Sequence, residues 1–157
     1  MKSIVQALEL QIPPPIIMAV FGAIAWLIAK YLSAYNLSIQ GVFWFSLGLA
    51  SVGFVVAALG IIEFLKAKTT INPHSPGNTS LLVQDGIYRV TRNPMYIGLF
   101  LVLVAWQVYI FNFLSLVCLP LFLVCVTWLQ ILPEERILQE KFGSEFSEYM
   151  TRVGRWI

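Results

Sequence analysis

Residues 95–132 read MYIGLFLVLVAWQVYIFNFLSLVCLPLFLVCVTWLQIL, 38 positions without a charged side chain. A membrane span needs ~17–25 residues. One helix of this length would be nearly 60 Å long, about twice the hydrocarbon thickness. The stretch is therefore expected to fold back as a helical hairpin of two short arms, with a tight turn near Phe111-Asn112-Phe113. Two further apolar segments precede it, from about Pro13 to Leu32 and from about Val42 to Leu65. Hydrophobic residues make up 59% of the 157-residue chain and charged residues 11%, against roughly 25% charged in soluble domains. Too little polar surface remains to coat a water-soluble globule. The expected fold is an all-α integral membrane bundle of four transmembrane helices, forming a single domain over residues 1–157.

Charge placement suggests an orientation. The connection 33–41 and the turn near Asn112 carry no charge, whereas Lys66, Lys68, Arg89 and Arg92 fall in the middle connection and Arg136, Lys141, Arg152 and Arg155 in the tail. The positive-inside rule then puts both termini and the long middle connection in the cytoplasm. Lys30 is the exception, and its stem is long enough to snorkel. Lys2, Gln6, Glu9 and Gln11 interrupt the start, so the first apolar segment is expected to stay as a membrane helix rather than leave as a signal peptide.

Prolines 13–15 suit a helix start, and Pro120 is expected to kink the fourth segment. In the middle connection, Asn72-Pro73, Ser75-Pro76-Gly77-Asn78 and Asp85-Gly86 are turn formers, and Leu81-Leu82-Val83 is an apolar patch expected to dock. From Glu134 to Met150, Leu138, Phe142, Phe146 and Tyr149 recur at spacings of four, four and three, predicting a C-terminal amphipathic helix that Gly143 weakens. Cys118 and Cys125, about 10 Å apart along one helix, are too far apart for a disulfide and read as packing residues.

The chemistry-bearing residues form two clusters. The first is Gly86, Tyr88, Arg89, Arg92, Asn93, Pro94, Tyr96 and Gly98; the second is Pro133, Glu134 and Glu135. Pro94 disfavours helix at Asn93, so a helix is predicted to start there with Asn93 as its cap. Its free N–H groups, with Arg92 beside them, suit a carboxylate or phosphate. Glu134 and Glu135 fall at the same membrane level, and adjacent helical residues point ~100° apart, so one can pair with an arginine while the other faces a ligand. Charges at the edge of hydrocarbon are costly unless used. Plain positive-inside anchoring of the arginines, and acidic residues favouring a helix N-terminus, remain the simpler alternatives. Glu63 reads as an interfacial ion-pair partner of Lys66 or Arg89. His74 is the sole histidine, either an ordinary loop residue or part of a substrate entrance. No metal site is expected, and no basic, aromatic-interleaved run points to nucleic acid. A glycine-rich phosphate loop and a nucleophile elbow are both absent.

The run Gly86-x-Tyr88-Arg89-x-x-Arg92-Asn93-Pro94-x-Tyr96-x-Gly98, the apolar hairpin, Glu134-Glu135, then Phe142-Gly143 and Tyr149 resembles the isoprenylcysteine carboxyl methyltransferases and the related phospholipid methyltransferases. The resemblance covers about residues 69–156. Thr69-Thr70-x-Asn72-Pro73-x-x-Pro76 is similar to bacterial-type members, which implies a bacterial inner membrane. The family carries histidine where this chain has Asn93, and asparagine donates a hydrogen bond but does not titrate near neutrality. The resemblance implies S-adenosylmethionine as methyl donor, held by Tyr88, Arg92, Asn93, Pro94, Tyr96, Gly98, Glu134 and Glu135. Arg92 and Glu135 would be catalytic, with Asn72 and His74 toward the acceptor. It also implies a lipophilic or membrane-delivered acceptor, whether an isoprenylcysteine-like carboxylate, a lipid amine, or a small thiol or amine. Two other readings stand beside it: a non-catalytic four-span protein keeping the fold, and a small transporter, for which Glu63 would be the sole coupling residue.

Overall fold

The computed structural model describes residues 9–67 and 81–157. The expected roles of Asn72 and His74 lie outside these residues. Among the described residues six α-helices follow one another: α1 Pro14–Tyr31, α2 Val42–Lys66, α3 Pro94–Ile110, α4 Cys118–Val126, α5 Leu132–Phe142 and α6 Ser144–Arg152. Short 3-10 turns at Ser33–Tyr35, Gly86–Arg89 and Leu114–Val117 join them, and a π-turn at Thr127–Ile131 links α4 to α5. The described residues contain no β-strand, only an isolated bridge between Asn36 and Asn112. Among the described residues three helical stretches are long and apolar enough to cross a membrane: Pro14–Tyr31, Val42–Lys66 and the composite Leu114–Phe142. At 17 residues α3 is shorter, about 26 Å by its rise.

The 95–132 stretch reverses at Phe111, which takes a left-handed φ of 41°. A polar knot stitches this turn. Ser115 Oγ donates to Gln107 Oε1 (2.6 Å), and Gln107 Nε2 donates to the Ser115 carbonyl (2.9 Å). Asn112 Nδ2 donates to Asn36 Oδ1 (2.6 Å) and to the Leu32 carbonyl (3.1 Å). Backbone groups of a reversal have no water to turn to inside a bundle, so side-chain amides and a hydroxyl satisfy them.

Helix α2 buries only Ser46, Gly53 and Gly60, small residues seven apart that form a seam for α3. A Cβ on Gly98 would lie 2.6 Å from the Gly53 carbonyl oxygen, and one on Gly53 2.8 Å from the Gly98 oxygen. The two backbones touch, as small-residue seams allow where no hydrophobic effect drives helices together. Large apolar side chains of α2, among them Trp44, Phe45 and Phe54, point outward. The core joins Ile17, Tyr96, Leu103, Phe122, Val126 and Ile131, with Phe122 edge-on to Phe21 and stacked on Phe100.

Two prolines act differently from a simple kink. Pro120 falls in the first turn of α4, directly after the 3-10 turn, where a missing N–H is cheapest. Pro133 lies within the continuing helical stretch and leaves the Leu129 carbonyl, four residues earlier, without its helical donor. The Leu10 N–H fills that gap (2.9 Å), and Gln130 Nε2 beside it donates to the Ile12 carbonyl (2.9 Å). The predicted C-terminal amphipathic helix is two helices. Gly143, at φ 53° and ψ −119°, breaks it in a conformation that a side chain resists. The break turns α6 back, so that Phe146, Tyr149 and Val153 pack against Leu82 and Leu138. The two cysteines are free thiols.

Candidate active site

The segment entering α3 is held from both sides. Gly86, at φ 59°, rests on Glu63, where a Cβ would lie 2.5 Å from Oε1. Glu63 itself pairs with Lys66 (2.8 Å). On the other side, the Tyr149 hydroxyl donates to the Tyr88 carbonyl (2.7 Å), and the Arg92 N–H donates to the Gly154 carbonyl (3.0 Å). The Arg155 carbonyl accepts from Thr91 Oγ1 (3.2 Å) and from Asn93 Nδ2 (2.9 Å). Asn93 thus stands at the N-cap position of α3 without capping it by its side chain, contrary to expectation. Its amide secures residues 154–155 instead, while its carbonyl accepts from the Ile97 N–H.

This anchoring fixes the direction of Arg92. Its Nη2 lies 3.2 Å from Glu135 Oε1, and the two side chains are 11% and 14% exposed. Nε and Nη1 of Arg92 are buried and have no partner. Glu135 is held a second time, by Arg155 Nε (3.1 Å) and Nη2 (2.6 Å). Glu134, on the neighbouring face of α5, accepts from the Tyr96 hydroxyl (2.5 Å). Arg89 goes elsewhere: 75% exposed, it pairs with Asp85 at 2.7 Å.

Around these groups lies a cavity of about 350 Å³, within the usual range of small-molecule sites. Arg92, Asn93, Glu134 and Glu135 contribute its polar wall. Tyr88, Tyr96, Phe146 and Tyr149 contribute aromatic faces, and Pro15, Ala57, Ile61, Met95 and Leu99 an apolar side. Burial raises the Tyr88 hydroxyl pKa, with Tyr149, Glu134 and Glu63 adding to the shift. Burial also raises that of Tyr149, against the pull of Arg92 and Arg152. Both phenols stay protonated at neutral pH, and that of Tyr149 is the one that donates to the Tyr88 carbonyl. The hydrogen bonds to Glu135 raise the pKa of Arg155 against some desolvation, which keeps it a cation.

Tyr88, Arg92, Asn93, Tyr96, Glu134 and Glu135 therefore meet around one cavity. Pro94 and Gly98 do not line it: Pro94 abuts Gly60, and Gly98 abuts Gly53 and Ala57.

The profile of the phospholipid methyltransferase family matches residues 41–145. The chain belongs to this family. The matched span runs from the residue before α2 into the start of α6. Among relatives of this family member, the protein-S-isoprenylcysteine O-methyltransferase of Schizosaccharomyces pombe is 29% identical over 108 residues, covering 69% of this chain and 46% of that protein. A probable protein-S-isoprenylcysteine O-methyltransferase of Oryza sativa subsp. indica is 30% identical over 115 residues, covering 71% of this chain and 60% of that protein. The Saccharomyces cerevisiae protein-S-isoprenylcysteine O-methyltransferase is 36% identical over 78 residues, covering 47% of this chain and 31% of that protein. This family member thus spans between 31% and 60% of the length of these relatives. No solved structure matches it.

The matched span contains Arg92, Glu134 and Glu135 but ends before Phe146, Tyr149 and Arg155. Those three complete the cavity and its ion pairs, and sequence reading assigned none of them to the site. The spacing of Phe146 and Tyr149 marks a buried helix face, and Tyr149 also closes the run that resembles the family; those are the available signals. Arg155 had none, because its partner lies 20 residues away.

Proposed function

We propose that this chain is an S-adenosylmethionine-dependent methyltransferase acting on a lipophilic acceptor. The observation that carries this reading is Arg92, which lines the cavity, is ion-paired through one nitrogen and keeps two further nitrogens buried without a partner. An uncompensated buried donor costs about 1–3 kcal/mol, more on a charged group, and an incoming carboxylate would remove that cost. The wall fits a zwitterionic donor: Arg92 for its carboxylate, Glu134 and Glu135 for its ammonium, and the tyrosines and Phe146 for its cationic and heteroaromatic parts. When bound, the donor supplies an activated methyl group on a sulfonium.

The chain's own contribution is positioning and exclusion of water. Arg92 and Glu135 lock one another, Arg155 locks Glu135, and Tyr96 orients Glu134. A carboxylate acceptor arrives ionised and needs no base. A thiol or amine must lose a proton, and Glu134, held by one neutral donor rather than two guanidinium groups, is the freer of the two carboxylates to take it. The apolar side formed by Pro15, Ala57, Ile61 and Leu99 suits a hydrocarbon chain entering from the bilayer. In this reading α3 also crosses the membrane, making four spans, and the site faces the cytoplasm from the bacterial inner membrane, where the basic residues cluster.

The test is transfer of a radiolabelled methyl group from S-adenosylmethionine to host lipid extract by the purified protein in detergent. Label should enter an organic-soluble product with the wild-type protein and not with Glu135→Gln. Equal labelling by both, or none by a folded wild type across lipid, prenylated-thiol and amine acceptors, would overturn the reading.

A further inference from the structure

Glu135 has two arginine partners, and they bind it unequally. Arg155 takes both carboxylate oxygens, Nε to Oε1 at 3.1 Å and Nη2 to Oε2 at 2.6 Å. Arg92, which lines the cavity, reaches one oxygen through Nη2, at 3.2 Å, and keeps Nε and Nη1 buried without a partner. Arginine and carboxylate planes favour a two-point fork. A Glu135 facing Arg92 alone would rotate into that fork and consume another guanidinium N–H.

We propose that Arg155 is a positioning residue that occupies the fork of Glu135 and so holds Arg92 open for the carboxylate of the methyl donor. The inference rests on the proposed methyltransferase reading and adds a residue outside the family-matched span 41–145. The geometry suits the role. The backbone at Arg155 is fixed independently of its side chain, since its carbonyl accepts from Thr91 and Asn93 and the preceding Gly154 carbonyl accepts from the Arg92 N–H. Gly154 also fits tightly, a Cβ there meeting the Ile157 carbonyl. The side chain of Arg155 is 36% exposed, so it can be shortened without opening a hole in the core.

The test compares two ligands by calorimetry on the full chain in detergent. S-adenosylhomocysteine carries the amino-acid carboxylate, and 5′-methylthioadenosine lacks the amino-acid part. Wild type should prefer the first. Arg155→Gln should weaken S-adenosylhomocysteine about tenfold to a hundredfold, the scale of one charged hydrogen bond, and leave methylthioadenosine unchanged. Unchanged methylthioadenosine binding doubles as the control for folding. Arg155→Lys, which restores the charge and one of the two contacts, should recover part of the preference.

Equal weakening of both ligands by Arg155→Gln would make Arg155 a general structural support and overturn the inference, as would full S-adenosylhomocysteine affinity in that variant. In either case the methyltransferase reading would stand. Wild type binding neither ligand would overturn the methyltransferase reading itself, and this inference with it.

Discussion

Helix α3 has a polar cluster at each end, and the two differ in completeness. At its C-terminal end Gln107, Asn112 and Ser115 are nearly fully buried and satisfy one another, the turn backbone and Asn36. At its N-terminal end Arg92, Glu134, Glu135 and Arg155 surround a cavity. Among described residues the buried side-chain atoms without a partner are Nε and Nη1 of Arg92 and Oε1 of Gln130, none of them in the first cluster. A closed neutral network fixes a fold. An open charged one keeps unused hydrogen-bonding capacity, and in a membrane protein such capacity marks a site. The expected signature of the difference is opposite responses to substitution: one end should lose stability, the other ligand binding.

The largest effect is expected at Arg92. Arg92→Gln should lower S-adenosylhomocysteine affinity more than about a hundredfold while changing unfolding free energy by roughly 1 kcal/mol or less, because Glu135 keeps its bidentate partner. Asn112→Ala should do the reverse. Unpairing the Leu32 carbonyl, Asn36 and the Ser115 N–H should cost about 2–4 kcal/mol, at roughly 1 kcal/mol or more for each stranded group, with affinity retained. Unfolding in mixed micelles beside calorimetry measures both quantities. If both variants fell in both properties, the two ends would not be distinct.

Gly98 sharpens the contrast next. Gly98→Ala should destabilise by about 1–3 kcal/mol through overpacking against Gly53 and Ala57 and leave ligand affinity within a factor of a few, separating helix packing from ligand contact. Tyr96→Phe, which strips Glu134 of its donor, should cost about 1–2 kcal/mol in stability and shift the pH–rate profile of methyl transfer to a thiol acceptor. An unchanged profile would remove Glu134 from proton transfer. The smallest effect belongs to Arg89. Its exposed pair with Asp85 is worth less than about 1 kcal/mol, and Arg89→Ala should leave binding unchanged, although Arg89 stands only three residues from Arg92.

That last contrast shows where the sequence was legible. Periodicity and span length located the long apolar helices and the reversal near Phe111, and charge singled out Arg92 and Glu135, which the structure pairs. These readings rest on local spacing and on the cost of charge in hydrocarbon. Spacing alone did not separate Arg89 from Arg92; the docking of residues 154–155 on the Arg92 backbone does. Asn93 read as a cap because capping is local, whereas its actual acceptor is 62 residues away. Gly98 read as part of a ligand motif, yet Gly53, which meets it, and Gly60, seven residues on along α2, already carried the signal of a helix seam. The amphipathic period of 134–150 was sound on each side of Gly143, and only the φ of that glycine decides that two helices replace one.

The account turns on whether the unpartnered nitrogens of Arg92 receive the carboxylate of the methyl donor. Calorimetric titration of S-adenosylhomocysteine into wild-type protein and Arg92→Gln, both folded in the same detergent, asks this directly. Saturable binding to the wild type and its collapse in the variant is the predicted result. Equal affinity in the two proteins would contradict the account.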